Sequence, residues 1–378
     1  MSSLEKLRAA TSSMVGDLEA LVMSETPTAD LESIESGCAL LSDIGKRLLG
    51  DSPEVARVDG RPHLLWRLGT PRVLLLGHVD TVWPRGTTAR WPFTVNDGIA
   101  SGPGAFDMKA GVVQGLHAVS ALGNPEGIAF LVTSDEETGG HTSRHLIETI
   151  AADVLAVLVL EPSGQGAVKI ARKGASFYEV LLEGRASHAG LDPEKGANAL
   201  IQLAHVVRDL EAIAHPRVGT TVTPTVAHAG TTSNTIPAAG VLQIDVRAPT
   251  TKEQMRVDDA LRALEPVVPG VEMTLVGGPN RGPLEPDASA ELFELASAVA
   301  DDIGIGPLWG IGAGGVSDGN FTAALGQPTL DGLGAVGAGA HAEGEHVVVA
   351  EMPQRAALVA GVLERLLGDQ PSTVRGTV

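Results

Sequence analysis

Acids and histidines recur in five short segments of this chain, each where an apolar run stops or glycines gather: LLLGHVDTV (74–82), SGPGAFDMKAG (101–111), TSDEETGG (133–140), VLEPSG (159–164) and GAGAHAEGEH (337–346). His78, Asp107, Glu137, Glu161 and His341 offer imidazole and carboxylate without thiolate, the donor set that two divalent cations such as zinc, cobalt or manganese require. Ions held this way activate water and polarise carbonyls, so hydrolysis is the chemistry these residue types point to.

Each residue also has a plainer reading. His78 and Asp80 end an apolar run as H-V-D, and the C-terminal ends of strands are where an α/β sheet places its site. Two residues on in an extended chain, Asp80 lies on the same side as His78 and can orient the imidazole; the alternative is a satisfied core histidine. Asp107 sits in a glycine-rich turn feeding a helix, where an aspartate that only caps the helix is common. A carboxylate there can also bridge two ions, one through each oxygen. Glu136 and Glu137 follow IAFLVTS; a solvated edge explains many adjacent acids, but at the end of a buried strand their charge is costly unless a metal offsets it. One of the two can ligate while its neighbour acts as general base. Glu161 repeats the pattern after VLAVLVL. His341 lies among glycines, which excludes a helical zinc motif, and an H-x-E deaminase pattern fails because its paired cysteines cannot come from Cys38 alone.

Two further patterns carry less. Gly310, Gly312 and Gly315 satisfy G-x-G-x-x-G, yet the preceding IGPLWG is a poor strand and no βαβ unit follows. Ser317 stands in a G-x-S-x-G match with Asp331 and His341 downstream, the order of a serine hydrolase, but the approach is glycine-rich and the acid and histidine stand too close together.

The elements that must hold these residues are legible from periodicity. Helical patterns cover roughly 3–23 and 30–49, and strand candidates follow at 63–69, 73–79, 128–134 and 154–160, with helices at 109–122 and 141–150 between them. Near-continuous apolar runs of this length read as strands covered on both faces, an α/β arrangement. From about 174 the texture changes to long alternating strands in βαββαβ order, with helices at 196–213 and 251–265, a small open-faced sheet. Because His341 must join residues that precede 174, the middle block is an insertion: 1–173 and 285–378 form the catalytic domain and 174–284 the inserted one. The formal charge of -19 argues against nucleic acid and against an acidic membrane surface. One cysteine, Cys38, cannot close an internal disulfide, the amphipathic N-terminus lacks a signal peptide's apolar core, and no apolar run reaches membrane length. A cytoplasmic location is expected.

Taken in order, GHVDTV, WPFTV with SGPGAFDMKAG, SDEETGG, EPS, RKG, GRASHAGLDPEKGANAL, GTTSNTIPA with DVR, GGVSDGN and GAHAEGEH resemble the M20 family of metallopeptidases, most of all its glutamate carboxypeptidase branch. The resemblance covers nearly the whole chain. It implies a zinc-peptidase-like catalytic domain, a mixed sheet covered by helices, with an inserted α+β ferredoxin-like lid and dimerisation domain. It further implies that His78 and Glu161 hold one zinc and Glu137 and His341 the other, with Asp107 between them, Glu136 as base, Asp80 behind His78 and a cis peptide after Asp107. His188 matches a histidine that reaches across a homodimer to stabilise the oxyanion. Asn234 and Arg247 match residues that grip the substrate's carboxylate, and Lys173 and Arg281 match positions near the side-chain pocket. The plainer readings are that Arg247 pairs with Asp245 or Glu183 and that His188 caps a local turn. Ala110, where many relatives carry glycine, departs from the pattern at the helix entry.

The expectation is a two-zinc amidohydrolase, with cobalt or manganese as alternative metals. Its substrate is a small N-acyl amino acid or short peptide, from which it releases a C-terminal, acidic amino acid. The alternatives on the same scaffold are an N-acyl-amino-acid deacylase (an aminoacylase) and a dipeptidase. A catalytically silent member is opposed by the presence of every ligand and of Glu136.

Overall fold

The computed structural model describes residues 2–368, which divide into two compact units. The first comprises 2–171, 286–313 and 317–368; the second comprises Arg172–Glu285 with Gly314–Val316.

The first unit is built on a six-stranded mixed sheet in the order Glu54–Val58, Arg61–Leu68, Ile128–Thr133, Val73–His78, Ala156–Val159, Thr329–Leu330. Its first two pairings, of Glu54–Val58 with Arg61–Leu68 and of Arg61–Leu68 with Ile128–Thr133, are antiparallel and lead into a parallel centre, where Val73–His78 runs alongside both Ile128–Thr133 and Ala156–Val159. The continuous apolar runs are explained by cover on both sides. Val73, Leu75, Phe130, Val132 and Leu158 face one core with helices Ala110–Ala121 and Met352–Gly368. Leu74, Leu76, Leu131, Val157 and Val159 face a second with Ile147, Ile150 and Phe321. The period-2 alternation of a strand thus divides one hydrophobic sequence between two cores.

The N-terminal helical pattern resolves into Ser3–Ala9 and Thr11–Met23, the first opened by a capping box in which Ser2 and Glu5 satisfy each other's amides. Helix Leu31–Leu49 starts on the Asp30 side chain, which accepts from the Ser33 amide, and stops at Gly50 in the left-handed region. Two hairpins were not anticipated. Asp59-Gly60 joins Glu54–Val58 to Arg61–Leu68, and Asp97-Gly98 joins Thr94–Asn96 to Ile99–Ser101; all four turn residues have positive φ, as a two-residue type I′ turn demands. The second hairpin continues into His346–Val348 and Gly337–Ala338 as a small four-stranded sheet.

The second unit is a four-stranded antiparallel sheet in the order Thr221–Ala229, Ala239–Ala248, Gly174–Glu183, Glu272–Arg281. Helices Ala199–Ile213 and Thr251–Arg262 complete the βαββαβ succession. Tyr178, Val180, Leu182, Leu242, Ile244 and Val246 pack beneath those helices, while Phe177, Glu179, Gln243 and Asp245 alternate onto the other face. Among the described residues no helix is long and apolar enough to cross a membrane.

Candidate metal centre

His78 is the last residue of strand Val73–His78 and is almost completely buried. Its Nδ1 lies 2.9 Å from the Asp80 carbonyl oxygen, which can only accept, so Nδ1 carries the proton and Nε2 presents a lone pair. That Nε2 is buried without a hydrogen-bond partner, and it faces Asp107 Oδ1 at 3.4 Å and Glu161 Oε1 at 3.6 Å. A lone pair aimed at two carboxylates is repulsive unless a proton or a cation lies between them. Burial would lower the His78 imidazole, but Asp107, Asp80 and Glu161 together hold it well above its ordinary value. The protein therefore attracts positive charge to this point, and the N/O donor set fits a divalent ion.

Asp107 has its other oxygen 3.5 Å from His341 Nε2. Its carboxylate thus stands between the two imidazoles, and the peptide that follows it, Asp107–Met108, is cis. His341 Nε2 lies 3.0 Å from Glu137 Oε2 and 3.2 Å from Oε1. The Glu137 carboxylate lifts this imidazole to about 9 against the effect of burial. His341 occupies the left-handed region at φ 60, a conformation that costs a non-glycine residue energy.

The paired acids sit in the short turn Glu136–Thr138 directly after strand Ile128–Thr133. Two groupings place ligand atoms within 4.8 Å of one another: His78, Asp107 and Glu137, and His78, Glu136 and Glu161. Asp80, fully buried, turns its carboxylate to this loop. It accepts from the Glu136 amide at 3.3 Å, the Glu137 amide at 3.2 Å and the Thr28 hydroxyl at 2.8 Å. Behind it, Asp135 accepts from the Thr142 amide at 2.6 Å and the Thr142 hydroxyl at 2.7 Å. Asp80 therefore serves His78 through its carbonyl at 2.9 Å and its Oδ1 at 3.4 Å from Nδ1, while its side chain also holds the backbone of both acids. Glu161 leaves the end of strand Ala156–Val159, with Lys169 Nζ 3.8 Å from its Oε2.

The residues expected to handle substrate belong to the second unit. His188 is exposed, and its Nδ1 accepts from the Gly190 and Leu191 amides at 3.1 Å each; the local cap weighed as its plainer reading is present. The same bonds put the proton of the neutral ring on Nε2. A bridge between His188 and Thr235, with the Ala189 amide bonded to the Asn234 carbonyl, brings the SHAG and SNTIP loops together. Arg247 makes two bonds to Asp245, at 2.8 and 2.7 Å, and lies over the Phe177 ring. Arg281 is buried and its carbonyl accepts from Gln254 at 3.0 Å. Lys173 lies beside Gly219.

Ser317 is fully buried and donates to Asp331 Oδ2 at 2.6 Å, whereas His341 faces Glu137 and Asp107. Its hydroxyl is an internal bond of the fold rather than a nucleophile at a strand-helix elbow. Among the described residues Gly310–Ala313 pairs only with Val168–Arg172 and opens no nucleotide-binding unit.

Known proteins resemble this chain over most of its length. Residues 74–365 match the profile of the peptidase family M20/M25/M40. The chain is 31% identical to carboxypeptidase G2 of Pseudomonas sp. (strain RS-16), over 93% of its own length and 88% of that protein's. It is also 31% identical to succinyl-diaminopimelate desuccinylase of Alkalilimnicola ehrlichii, over 89% and 95% of the two lengths. Among solved structures it shares its fold with aminopeptidase PepT of Bacillus cereus, at TM-score 0.75 and 20% identity, with 94% of this chain and 99% of that one covered. An M20 metallo-carboxypeptidase of Sulfolobus solfataricus matches at TM-score 0.73 and 15% identity, with 94% and 98% covered.

Proposed function

This chain belongs to the M20 peptidase family, and we propose that it is a two-zinc amidohydrolase that cleaves an amide bond next to a free carboxylate, releasing a C-terminal acidic amino acid. The observation that carries this reading is the Asp107 carboxylate set between His78 and His341, each of which has a further carboxylate beside it, Glu161 for His78 and Glu137 for His341. On this reading His78 and Glu161 hold one ion, Glu137 and His341 the second, and Asp107 serves both. When bound, such ions lower the pKa of water and polarise the scissile carbonyl.

The remaining chemistry falls to side chains of this protein. Glu136 accepts the proton of the attacking water at its carboxylate and returns it to the departing amine. Its amide is bonded to Asp80, which fixes the point from which the side chain departs. His188 donates from Nε2 to the developing oxyanion, consistent with the two amides that occupy Nδ1. It does so in the site of a partner protomer, the inserted unit acting as lid and dimerisation domain. Strand Thr221–Ala229 is an edge of its sheet, and Leu200 and Ile201 of the neighbouring helix are about half exposed, features a homodimer would cover. Asn234 and Arg247 take the substrate's α-carboxylate. Asp245 engages Arg247 through Nε and Nη2, so a substrate carboxylate meets the guanidinium through Nη1. Lys173 and Arg281 supply positive charge for an acidic side chain.

A second reading is removal of an N-acyl group such as succinyl from a diamino acid, because desuccinylases match this chain at an identity similar to the carboxypeptidase's. The test is kcat/KM for an N-acyl-glutamate, its α-amide, the matching N-acyl-leucine and an N-succinyl-diamino acid, after metal analysis. Amidation removes the carboxylate that meets Arg247 Nη1 while Asp245 keeps its two bonds, so kcat/KM is expected to fall, by less than the roughly 2–5 kcal/mol of a fully desolvated pair. An α-amide cleaved as fast as the acid refutes carboxylate recognition, and a preference for the succinyl substrate establishes the second reading.

A further inference from the structure

Glu345 is fully buried, yet it belongs to no ligand group. Its Oε1 accepts from the Phe106 amide at 2.8 Å and the Asp107 amide at 2.9 Å; its Oε2 accepts from the Gly104 amide at 3.0 Å and the Trp83 indole at 2.9 Å. Three amides of one turn and an indole thus converge on a single carboxylate, an anion nest made within the protein itself. Burial pushes the Glu345 carboxyl above its ordinary value, and these donors offset only part of that rise.

The main chain of Glu345 is tied just as closely. Its amide bonds to the Ala342 carbonyl and the Ala342 amide to the Gly339 carbonyl, closing the loop that carries His341. Its carbonyl accepts from the Ser101 hydroxyl at 2.8 Å, beside the strand pairing of His346 with Ser101. One residue therefore joins the turn that presents Asp107 to the loop that presents His341, across 238 positions of sequence. The two segments share no helix that would hold them in register. A rotation of the Gly104–Asp107 turn would carry the Asp107 carboxylate away from both imidazoles.

We propose that Glu345 is a positioning residue of the metal centre: its carboxylate clamps the Asp107 turn to the His341 loop and so sets the spacing of the shared ligand. This rests on the metal reading above. Partners of this kind, bonded to ligands rather than to the ion, commonly contribute 10- to 100-fold in metal affinity. Glutamine is the informative replacement because it preserves shape. Its oxygen serves only one of the two donor pairs, and its NH2 group then points at the other pair, N–H against N–H, whichever way the amide is turned.

The experiment is a titration of metal-stripped full-length protein with Zn2+ against a competing chelator, together with the absorption spectrum of the Co2+-loaded protein. Glu345→Gln is expected to bind Zn2+ on the order of 10- to 100-fold more weakly than the parent, with an altered Co2+ ligand-field spectrum. Trp83→Phe removes one of the four donors from the rim and is expected to lower affinity severalfold with folding retained; it supplies the decisive measurement where Glu345→Gln does not fold. Parental affinity and an unchanged Co2+ spectrum in the folded variants, even with a lowered melting temperature, overturn the proposal, since a merely structural role would show only that loss. If the parent protein itself binds no divalent ion, the metal reading fails instead.

Discussion

Gly111 offers a sharp test of how the site is packed. It is buried in the first turn of helix Ala110–Ala121, and a β-carbon built there lies 2.1 Å from the Leu160 carbonyl oxygen and 3.5 Å from Gly334 Cα. A carbon and an oxygen need about 3 Å or more, so Gly111→Ala must drive helix and strand end apart by roughly 1 Å. The obstacle is backbone, which cannot rotate away as a flexible side chain can. Leu160 directly precedes Glu161, so the displacement reaches a candidate ligand within one residue. Overpacking of this kind costs about 1–3 kcal/mol, and a misplacement near 1 Å costs on the order of 100-fold in rate. Gly16 is the matched control: it is exposed within helix Thr11–Met23 and a β-carbon there meets nothing within 4 Å. Gly16→Ala should stabilise by about 0.5–1 kcal/mol through helix propensity alone. The assay is denaturant unfolding of both variants, with kcat/KM and bound metal measured on the same preparations. Equal stability, turnover and metal content for Gly111→Ala and the parent would show that the Leu160 contact does not restrain the site.

Other outcomes follow from the same geometry. Glu136→Gln should retain metal while kcat falls by about 10²–10⁴-fold or more, whereas Glu137→Gln should lose metal first; elemental analysis beside kinetics separates the two, and a reversed pattern exchanges their roles. Inactive His188→Ala and Glu136→Gln protomers should recover part of the activity on subunit exchange, and a mixture that stays dead argues against a site completed by a partner. Burial pushes the Cys38 thiol up to about 12, so it remains protonated throughout the neutral range. A thiolate-directed reagent at pH 8 should label it only on unfolding, and rapid native labelling would contradict the buried setting.

Much of the catalytic unit can be read locally. Apolar runs such as VLLLGH and IAFLVT must be covered on both faces, and acids or imidazoles that follow them must stand at the carboxyl ends of the strands. The βαββαβ texture of the second unit is equally local, because alternation and helical period are properties of consecutive residues. The Asp-Gly hairpins at 59–60 and 97–98 had a local signal too, the two-residue turn pair. Asp245 and Arg247 lie two apart on one strand face, so their pairing was among the readings the sequence allows.

What the tertiary structure decided is which groups meet when their separation is large. Residue types in segments such as TSDEETGG and GAGAHAEGEH point to cation chemistry, but not to an Asp80 side chain that holds the backbone of Glu136 and Glu137 while its carbonyl meets His78 Nδ1. Nor does the local pattern distinguish Glu345 from its neighbour Glu343, since one acid in a glycine-rich loop looks like another. The difference is burial against a turn 238 residues away. Propensity and periodicity act over a few residues, whereas a hydrogen bond between distant segments exists only after the core has brought them together, and at that range the sequence carries composition without geometry.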